Sequence, residues 1–431
     1  MMNYQKVYAT VAVLLLLVAL VACGADTAEV PAEEPAIEEP AAEEEPAAGE
    51  PVVEEEVEEP VEEPAAEEEP EETAAEEEAE EPAAEEEVEE PAAEEATAPE
   101  EPLLILEWSG YEATEYPQFF APFTDKYADN LDEVVEYSFF GTDAEAIGKV
   151  QSGFEADVVH PCNSWWQLYV DHGLVQPIDT ARLSNWEGIH PDLAAMGQFN
   201  GEQYFVPWDW GYESILVRTD LVEEVPDSWA DLWDPQYAGH VIFWDSGETA
   251  YVVSALSLGI EDPWNTTPEQ DEQIKQHLID LKPNLLTYWT DYTETYDLPA
   301  SGDAWLTANA WQDAYAYLSS EGYEVDYIQP EEGRLGWVCG YGILSDSDNV
   351  DLAYELIDAA IAPESMAALG NEYWYGAANT EAIPMMDEFV VEFMELDQVD
   401  TLTDRTVFYQ PLTEEQRQTR TDLWNEVKAA P

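Results

Sequence analysis

Aromatic and hydroxyl side chains at one predicted strand end could bind a ligand. Trp108, Ser109 and Tyr111 follow a short apolar segment, 103–107, that has the composition of a strand. Open α/β sheets bind ligands at the carboxyl ends of their strands. Because the chain is strongly acidic, with a net charge of −86, electron-rich rings beside carboxylates favour a cation as the ligand.

An acidic pair is the second candidate for ligand contact. Asp245 and Glu248 stand between a predicted strand, 241–244, and a predicted helix, 249–259. Their carboxylates could bind an ammonium group. The same spacing before an apolar helix is typical of a capping box with Asp245 as the N-cap, so the pattern alone leaves both interpretations open.

The sequence offers little support for an enzyme. Asp245 and Glu248 lie within one helical turn, whereas the carboxylates of a glycosidase flank the scissile bond from opposite sides. His160 lies near Cys162, but no third residue completes a nucleophilic site, and no spacing of Tyr and His suits a ferric ion. We predict a protein that binds its ligand without catalysis, and without a metal or cofactor.

The first 23 residues have the pattern of a bacterial lipoprotein signal peptide. One charge, Lys6, precedes an apolar run at 11–22, which is too short for a comfortable membrane span. The run ends in Leu-Val-Ala-Cys, so we predict cleavage before Cys23 and a lipid anchor on its sulfur. The alternative is ordinary signal cleavage next to an incidental cysteine.

Residues 24–101 are repetitive in Pro, Ala and Glu, with 36 acidic residues and no aromatic or basic residue. Such a segment buries too little apolar surface to offset its ordering entropy. We predict a disordered, extended tether that holds a folded domain away from a membrane.

The remaining residues, 102–431, carry 62 of the 98 acidic residues against 11 of the 12 basic ones. This excess argues against a nucleic-acid partner. It indicates either adaptation to a saline habitat or attraction of cationic ligands. All 16 tryptophans lie in this part, which is long enough for two lobes.

Strand and helix patterns alternate along the folded part. Early examples are strands at 103–107, 134–140 and 156–160, with helices at 111–127 and 143–153 between them. Such alternation predicts an α/β fold with a largely parallel sheet. Later segments are predicted as strands at 204–208, 213–218, 241–244, 325–329 and 337–344, and as helices at 249–259, 272–281, 305–319, 350–361, 364–370 and 412–428.

The folded part resembles the spermidine/putrescine-binding proteins of polyamine ABC importers. Residues 228–239, Ser-Trp-Ala-Asp-Leu-Trp-Asp-Pro-Gln-Tyr-Ala-Gly, carry the most specific match. Supporting matches occur at 108–111, 157–159, 207–211, 245–248 and 375–379. The resemblance implies a two-lobed periplasmic-binding-protein-like fold with a hinge and interlobe cleft. We expect 102–211 and 338–383 in lobe 1, and 212–337 and 384–431 in lobe 2.

The resemblance also implies a ligand site. In that family the ligand's carbon chain lies among aromatic rings and its ammonium groups meet carboxylates. Each matching residue also has a structural interpretation, as core or cap. To the family's positions we add Asp209, at the predicted hinge, as an extra acidic contact. The candidate ligand-binding residues are Trp108, Ser109, Tyr111, Asp209, Asp245, Glu248, Trp311, Trp337, Tyr375 and Gln410.

Two cysteines depart from the family pattern. Cys162 replaces a serine after Pro161, and Cys339 replaces an aspartate two residues after Trp337. Because lipid would use Cys23 and the domain should be extracytoplasmic, we expect Cys162 and Cys339 to form a disulfide, with two separate buried thiols as the alternative. Loss of the aspartate weakens the case for a polyamine, so a quaternary ammonium compound is a second ligand candidate.

These observations predict a monomeric substrate-binding lipoprotein of an ABC importer. It would bind a small organic cation, such as putrescine or spermidine, on the extracytoplasmic face of the membrane, and deliver it to a membrane permease. The alternative is a ligand sensor that uses the same lobes.

Overall fold

The computed structural model describes residue 99 and residues 101–401 and 405–431. The predicted signal peptide at 1–23, the lipidation site Cys23 and the predicted tether up to residue 98 lie outside the described residues. No helix in the described part is long and apolar enough to cross a membrane.

The strands and helices of the described residues alternate, as the sequence predicts for an α/β fold. The strands are β1 (Leu103–Trp108), β2 (Val135–Phe140), β3 (Val158–Val159), β4 (Gln198–Phe199), β5 (Glu202–Gln203), β6 (Val206–Arg218), β7 (Val241–Trp244), β8 (Leu285–Trp289), β9 (Leu306–Ala310), β10 (Val325–Tyr327), β11 (Arg334–Ile343), β12 (Gly376–Ala377) and β13 (Thr406–Phe408). The α-helices are α1 (Ala121–Lys126), α2 (Leu131–Val134), α3 (Asp143–Gln151), α4 (Trp166–Asp171), α5 (Pro191–Met196), α6 (Gly247–Ser257), α7 (Pro268–Leu281), α8 (Glu294–Ser301), α9 (Gln312–Ser320), α10 (Val350–Ala360), α11 (Pro363–Tyr373), α12 (Glu388–Phe393) and α13 (Glu414–Ala429).

Two parallel groups of strands are joined by two long antiparallel ones. The sheet order is β2-β1-β3-β11-β6-β9-β7-β8. Pairing is parallel within β2-β1-β3 and within β9-β7-β8. It is antiparallel where β11 meets β3 and β6, and where β6 meets β9. The prediction of a largely parallel sheet therefore holds for each end of the sheet but not for its centre.

Each parallel group has its own apolar core, and β6 contributes to both. Trp208 and Trp210 of β6 belong to a core that also includes Leu106 of β1. Ile215 and Val217 belong to a second core. All 13 residues of β6 are buried. The strand is covered on both faces, and strands of this kind lack the alternation of apolar and polar residues. The sequence predicts two strands here, but pairing with β11 and β12 continues the strand through 209–212.

Two predicted helices are wrong in part. The predicted helix at 305–319 begins instead as strand β9, because its backbone pairs with both β6 and β7 in the buried centre of the sheet. Tertiary pairing here overrides the helical preference of its alanines. The predicted helix at 111–127 forms only a 3₁₀ turn, Pro117–Phe120, and α1. Pro117 and Pro122 restrict the backbone before them, which favours late helix starts.

A disulfide joins Cys162 and Cys339, and links the segment after β3 to β11. The two residues also form an isolated antiparallel bridge. The cross-link spans 177 residues of sequence, so it should restrict the unfolded chain more than the folded one.

We expect a Cys23→Ser variant, unfolded without reductant, to show no free thiol, and to show two after reduction. Reduction should lower the free energy of unfolding by about 2–4 kcal/mol, because it releases a long loop in the unfolded chain. Thiol titration and urea unfolding with and without reductant measure these effects. Two free thiols before reduction would contradict the bridge.

Candidate ligand-binding site

Two aromatic rings contact each other beside β6, and one of them lies over a glycine of that strand. The register pairs Trp337 of β11 with Gly211 on one side of β6. On the other side, β12 pairs Gly376 with Trp210, directly after Tyr375. The rings of Trp337 and Tyr375 meet edge to face, with centroids 4.9 Å apart. A Cβ at position 211 would collide with the Trp337 ring and the Gln312 amide, so only glycine lets these groups approach the strand.

Asp209 extends this site in the direction of β1. The Tyr111 hydroxyl donates to Asp209 Oδ2 at 3.1 Å. The Tyr111 ring contacts the Tyr373 ring at 5.5 Å, which contacts the Tyr375 ring at 5.6 Å. Burial and the neighbouring Tyr375 and Asp209 raise the pKa of Tyr111 well above its ordinary value, so its hydroxyl remains a donor. The structure therefore brings together Tyr111, Asp209, Trp337 and Tyr375.

A buried histidine positions Asp209. His160 Nδ1 lies 2.6 Å from Glu107 Oε1, and His160 Nε2 lies 3.1 Å from Asp209 Oδ1. The Tyr341 hydroxyl donates to the second oxygen of Glu107 at 2.9 Å. Burial alone would lower the pKa of His160, but the facing Glu107 and Asp209 carboxylates raise it to about 10. Both ring nitrogens are then donors, and the imidazolium holds the two carboxylates.

Trp108 and Ser109 lie beside this network. The Trp108 indole donates to the His160 carbonyl at 2.8 Å, and its ring contacts Phe140 with centroids 4.4 Å apart. Ser109 is exposed. The Trp108 ring is thus half-buried and supports the segment that carries His160.

Trp311 and Gln410 lie in other surroundings. Trp311 contacts the rings of Trp244 and Trp289 edge to face, at 5.5 and 5.7 Å. Gln410 is exposed, and its amide donates to the Phe408 carbonyl at 3.2 Å. It lines a cavity of about 160 Å³ together with Tyr409.

The acidic pair Asp245 and Glu248 meets cations of the chain itself. Asp245 accepts from the Trp424 indole at 2.8 Å and from Lys428 Nζ at 2.9 Å, both on α13. Glu248 forms an ion pair with Arg417 of the same helix at 2.9 Å. A ligand's ammonium group would have to displace these partners or share the carboxylates with them.

Asp245 is not the helix cap. The side chain of Ser246 accepts from the Thr249 backbone N–H and begins α6. The capping interpretation of Asp245 is therefore wrong by one residue, because the indole and ammonium groups of α13 take its carboxylate instead.

Sequence reasoning missed three buried polar residues beside Gly211. Glu213 Oε2 accepts from the Tyr409 hydroxyl at 2.9 Å and from Asn309 Nδ2 at 3.4 Å. Burial raises the pKa of Glu213 to about 8. Both amide atoms of Gln312, and Oδ1 of Asn309, are buried without a hydrogen-bond partner among the described residues. One feature of the sequence could have indicated Glu213: Asp209 and Glu213 are the only charged residues between 206 and 217, in an otherwise uncharged segment.

In the described part of the chain, no group of three or more His, Cys, Asp or Glu side chains could hold a metal ion.

We expect His160→Gln to lower the free energy of unfolding by roughly 3–5 kcal/mol, since it leaves two buried carboxylates without their cation. The raised pKa stabilises the fold fully below about 6.5, the unfolded value, and this contribution is lost as pH rises towards about 10. Urea unfolding measures stability, with exposed His172→Gln as the control. An imidazole that loses its proton near pH 6.5 by NMR would contradict the ion network.

Comparison with known proteins places the chain among solute-binding proteins. The family model described as bacterial extracellular solute-binding protein matches residues 118–392. The spermidine/putrescine-binding periplasmic protein of Escherichia coli is 25% identical over 228 residues, which cover 52% of this chain and 64% of that protein. The chain thus aligns with slightly less than two thirds of this relative. The putrescine/agmatine-binding protein of Pseudomonas aeruginosa is 26% identical over 357 residues, which cover 77% of this chain and 93% of that protein.

Solved structures show the same two-lobed fold. The spermidine/putrescine transporter substrate-binding protein PotD of Streptococcus pneumoniae has a TM-score of 0.64 and 22% identity, and covers 76% of this chain and 99% of its own. MotA of A. tumefaciens, solved with glucopine, has a TM-score of 0.61 and 16% identity, and covers 76% of this chain and 99% of its own. The predicted two-lobed fold and the predicted resemblance are confirmed. This chain belongs to the bacterial extracellular solute-binding protein family.

Proposed function

We propose that this protein is the extracytoplasmic substrate-binding component of an ABC importer for a small organic cation, with a polyamine such as putrescine or spermidine as the first candidate. One observation carries the proposal. Asp209, Tyr111, Tyr375 and Trp337 form a carboxylate and ring cluster around Gly211.

The physical basis is the attraction of a cation to rings and carboxylates together. An ammonium group over a tryptophan face gains about 2 kcal/mol or more when desolvated. A carboxylate partner offsets part of the cost of removing the ammonium from water. The names of the Escherichia coli and Pseudomonas aeruginosa relatives, which bind polyamines or agmatine, support this ligand class.

The contacts of Tyr111, Tyr373, Tyr375 and Trp337 also favour a second ligand candidate. These rings contact one another at centroid distances of 4.9 to 5.6 Å, so they form one aromatic surface over which a methylated cation could lie without an N–H contact. A quaternary ammonium compound would therefore use the rings and depend less on the carboxylates.

Transport would proceed without chemistry on the ligand. Ligand would close the two lobes, and the closed monomer would dock on a membrane permease. Lipid on Cys23 and the acidic segment 24–101 would keep the protein at the outer face of the membrane. A sensor role would use the same closure, and a permease and ATPase encoded beside this protein would favour transport.

Calorimetry with putrescine, spermidine, choline and glycine betaine tests the ligand class. We expect binding of at least one of these cations, with affinity falling as salt rises, because part of the attraction is electrostatic. Glucose serves as a neutral control. Absence of binding at millimolar concentration, at both low and high salt, would contradict the proposal.

Trp337→Leu should weaken binding of that cation by more than about 1 kcal/mol, because the ring face is lost while apolar volume is largely kept. The matched control is Trp233→Leu, since Trp233 stacks on His277 and lies outside the proposed site. Calorimetry gives both affinities. Equal affinity in the Trp337 variant and the control would remove Trp337 from the site.

A further inference from the structure

One face of β6 carries two carboxylates on either side of Gly211. Side chains at positions i, i+2 and i+4 of a strand lie on the same face. Asp209, Gly211 and Glu213 occupy such positions. The contacts agree with this placement. The Trp337 ring and the Gln312 amide face Gly211, Tyr111 contacts Asp209, and Tyr409 contacts Glu213.

The register of β11 places Asp209 opposite Cys339. Val338 pairs with Trp210 and Gly340 pairs with Pro207, so the strands are irregular at Cys339. Trp208 and Asp209 therefore lie opposite Cys339, and both contact His160. The Asp209 carboxylate on β6 therefore lies beside Cys339 of β11.

The charges near Asp209 do not balance. Glu107 and Asp209 share one imidazolium, His160. With both carboxylates ionised, the one buried cation would leave one negative charge, which a further cation would neutralise. An ionised carboxylate has about four acceptor sites, and Asp209 uses two of them with His160 and Tyr111.

Unpartnered polar atoms lie along the same face. Gln312 is fully buried, and neither its amide nitrogen nor its amide oxygen has a hydrogen-bond partner among the described residues. Asn309 is fully buried as well, with Oδ1 unpartnered beside Glu213. Buried polar groups are normally satisfied, so these oxygens are expected to accept from a ligand. An ammonium group offers three N–H donors.

The acidic pair Asp245 and Glu248 is less available to a ligand. Asp245 is held by Lys428 and Trp424, and Glu248 by Arg417. Among the described residues, Glu213 has no cationic partner in its hydrogen bonds or ion pairs, and Asp209 shares the single cation His160 with Glu107.

We propose that Asp209 and Glu213 bind the two ammonium groups of one linear α,ω-diamine, whose carbon chain lies along the Trp337 and Tyr375 rings between them. This inference rests on the proposed function and names its counter-charges and ligand class. Gln312 and Asn309 supply further acceptors. Four residues of strand separate the two Cα atoms by about 13 Å, and an ammonium–carboxylate contact takes about 2.8 Å at each end. The difference of about 7 Å would match the length of a chain of a few carbon atoms.

The decisive comparison is between putrescine and butylamine, which have the same carbon chain but two and one ammonium groups. We expect the wild-type protein to bind putrescine at least about thirtyfold more tightly by calorimetry. Asp209→Asn and Glu213→Gln should each reduce that ratio more than tenfold. The matched controls, Asp132→Asn and Glu133→Gln, remove the same charges from exposed positions and should preserve the ratio.

The outcomes separate the two levels of the proposal. If the wild-type protein binds neither amine nor any other cation, the proposed function fails. If it binds putrescine and both cleft variants keep the wild-type ratio, the function stands and the assignment of Asp209 and Glu213 is overturned. Circular dichroism confirms that each variant is folded before its affinity is compared.

Proton release by the wild-type protein tests the role of Glu213 even if the Glu213→Gln variant does not fold. With a pKa of about 8, Glu213 is mostly protonated at pH 7. Glu248 of α6, Tyr409 after β13 and Tyr327 of β10 are the titratable groups that face it. An ammonium group would ionise Glu213, so putrescine binding should release nearly one proton at pH 7. Calorimetry in phosphate and in Tris reveals this release, and identical binding heats in the two buffers would overturn the role of Glu213.

Discussion

A protonated imidazole between two buried carboxylates joins four strands of the central sheet. Glu107 lies on β1, His160 follows β3, Asp209 lies on β6, and Tyr341 of β11 donates to Glu107. These strands are neighbours in the order β1-β3-β11-β6. Removing His160 would leave two buried carboxylates without their cation, which costs far more than the complete network contributes. The network therefore fixes the position of β6 relative to β1, β3 and β11, and with it the position of Asp209.

Much of the architecture could be predicted from residue patterns. Apolar segments alternate with helical ones, and the motif at 228–239 resembles one family, so the two-lobed α/β fold was predictable. Strand β9 was not, because its alanines favour a helix and only pairing with β6 and β7 makes them a strand. The continuity of β6 through Gly211 also depends on neighbours that are distant in sequence.

The candidate site was predictable in its residue types but less so in its contacts. Trp337, Tyr375, Tyr111 and Asp209 lie together in the structure. The partners of Asp245 come from α13, 179 and 183 residues further along the chain, and no local pattern indicates them. Glu213 was missed because a carboxylate inside an apolar strand has no helical or metal-binding spacing to mark it.

The unbroken course of β6 limits how the two lobes can move. A hinge made of a loop rotates about a few flexible bonds, whereas a hydrogen-bonded strand distributes the same rotation over many residues. Asp209 and Glu213 lie on this strand, four residues apart. Any opening or closing of the lobes that bends β6 also changes the distance between their carboxylates. If Asp209 and Glu213 bind the two ends of one ligand as proposed, the length of that ligand and the degree of lobe closure would be coupled through the curvature of β6.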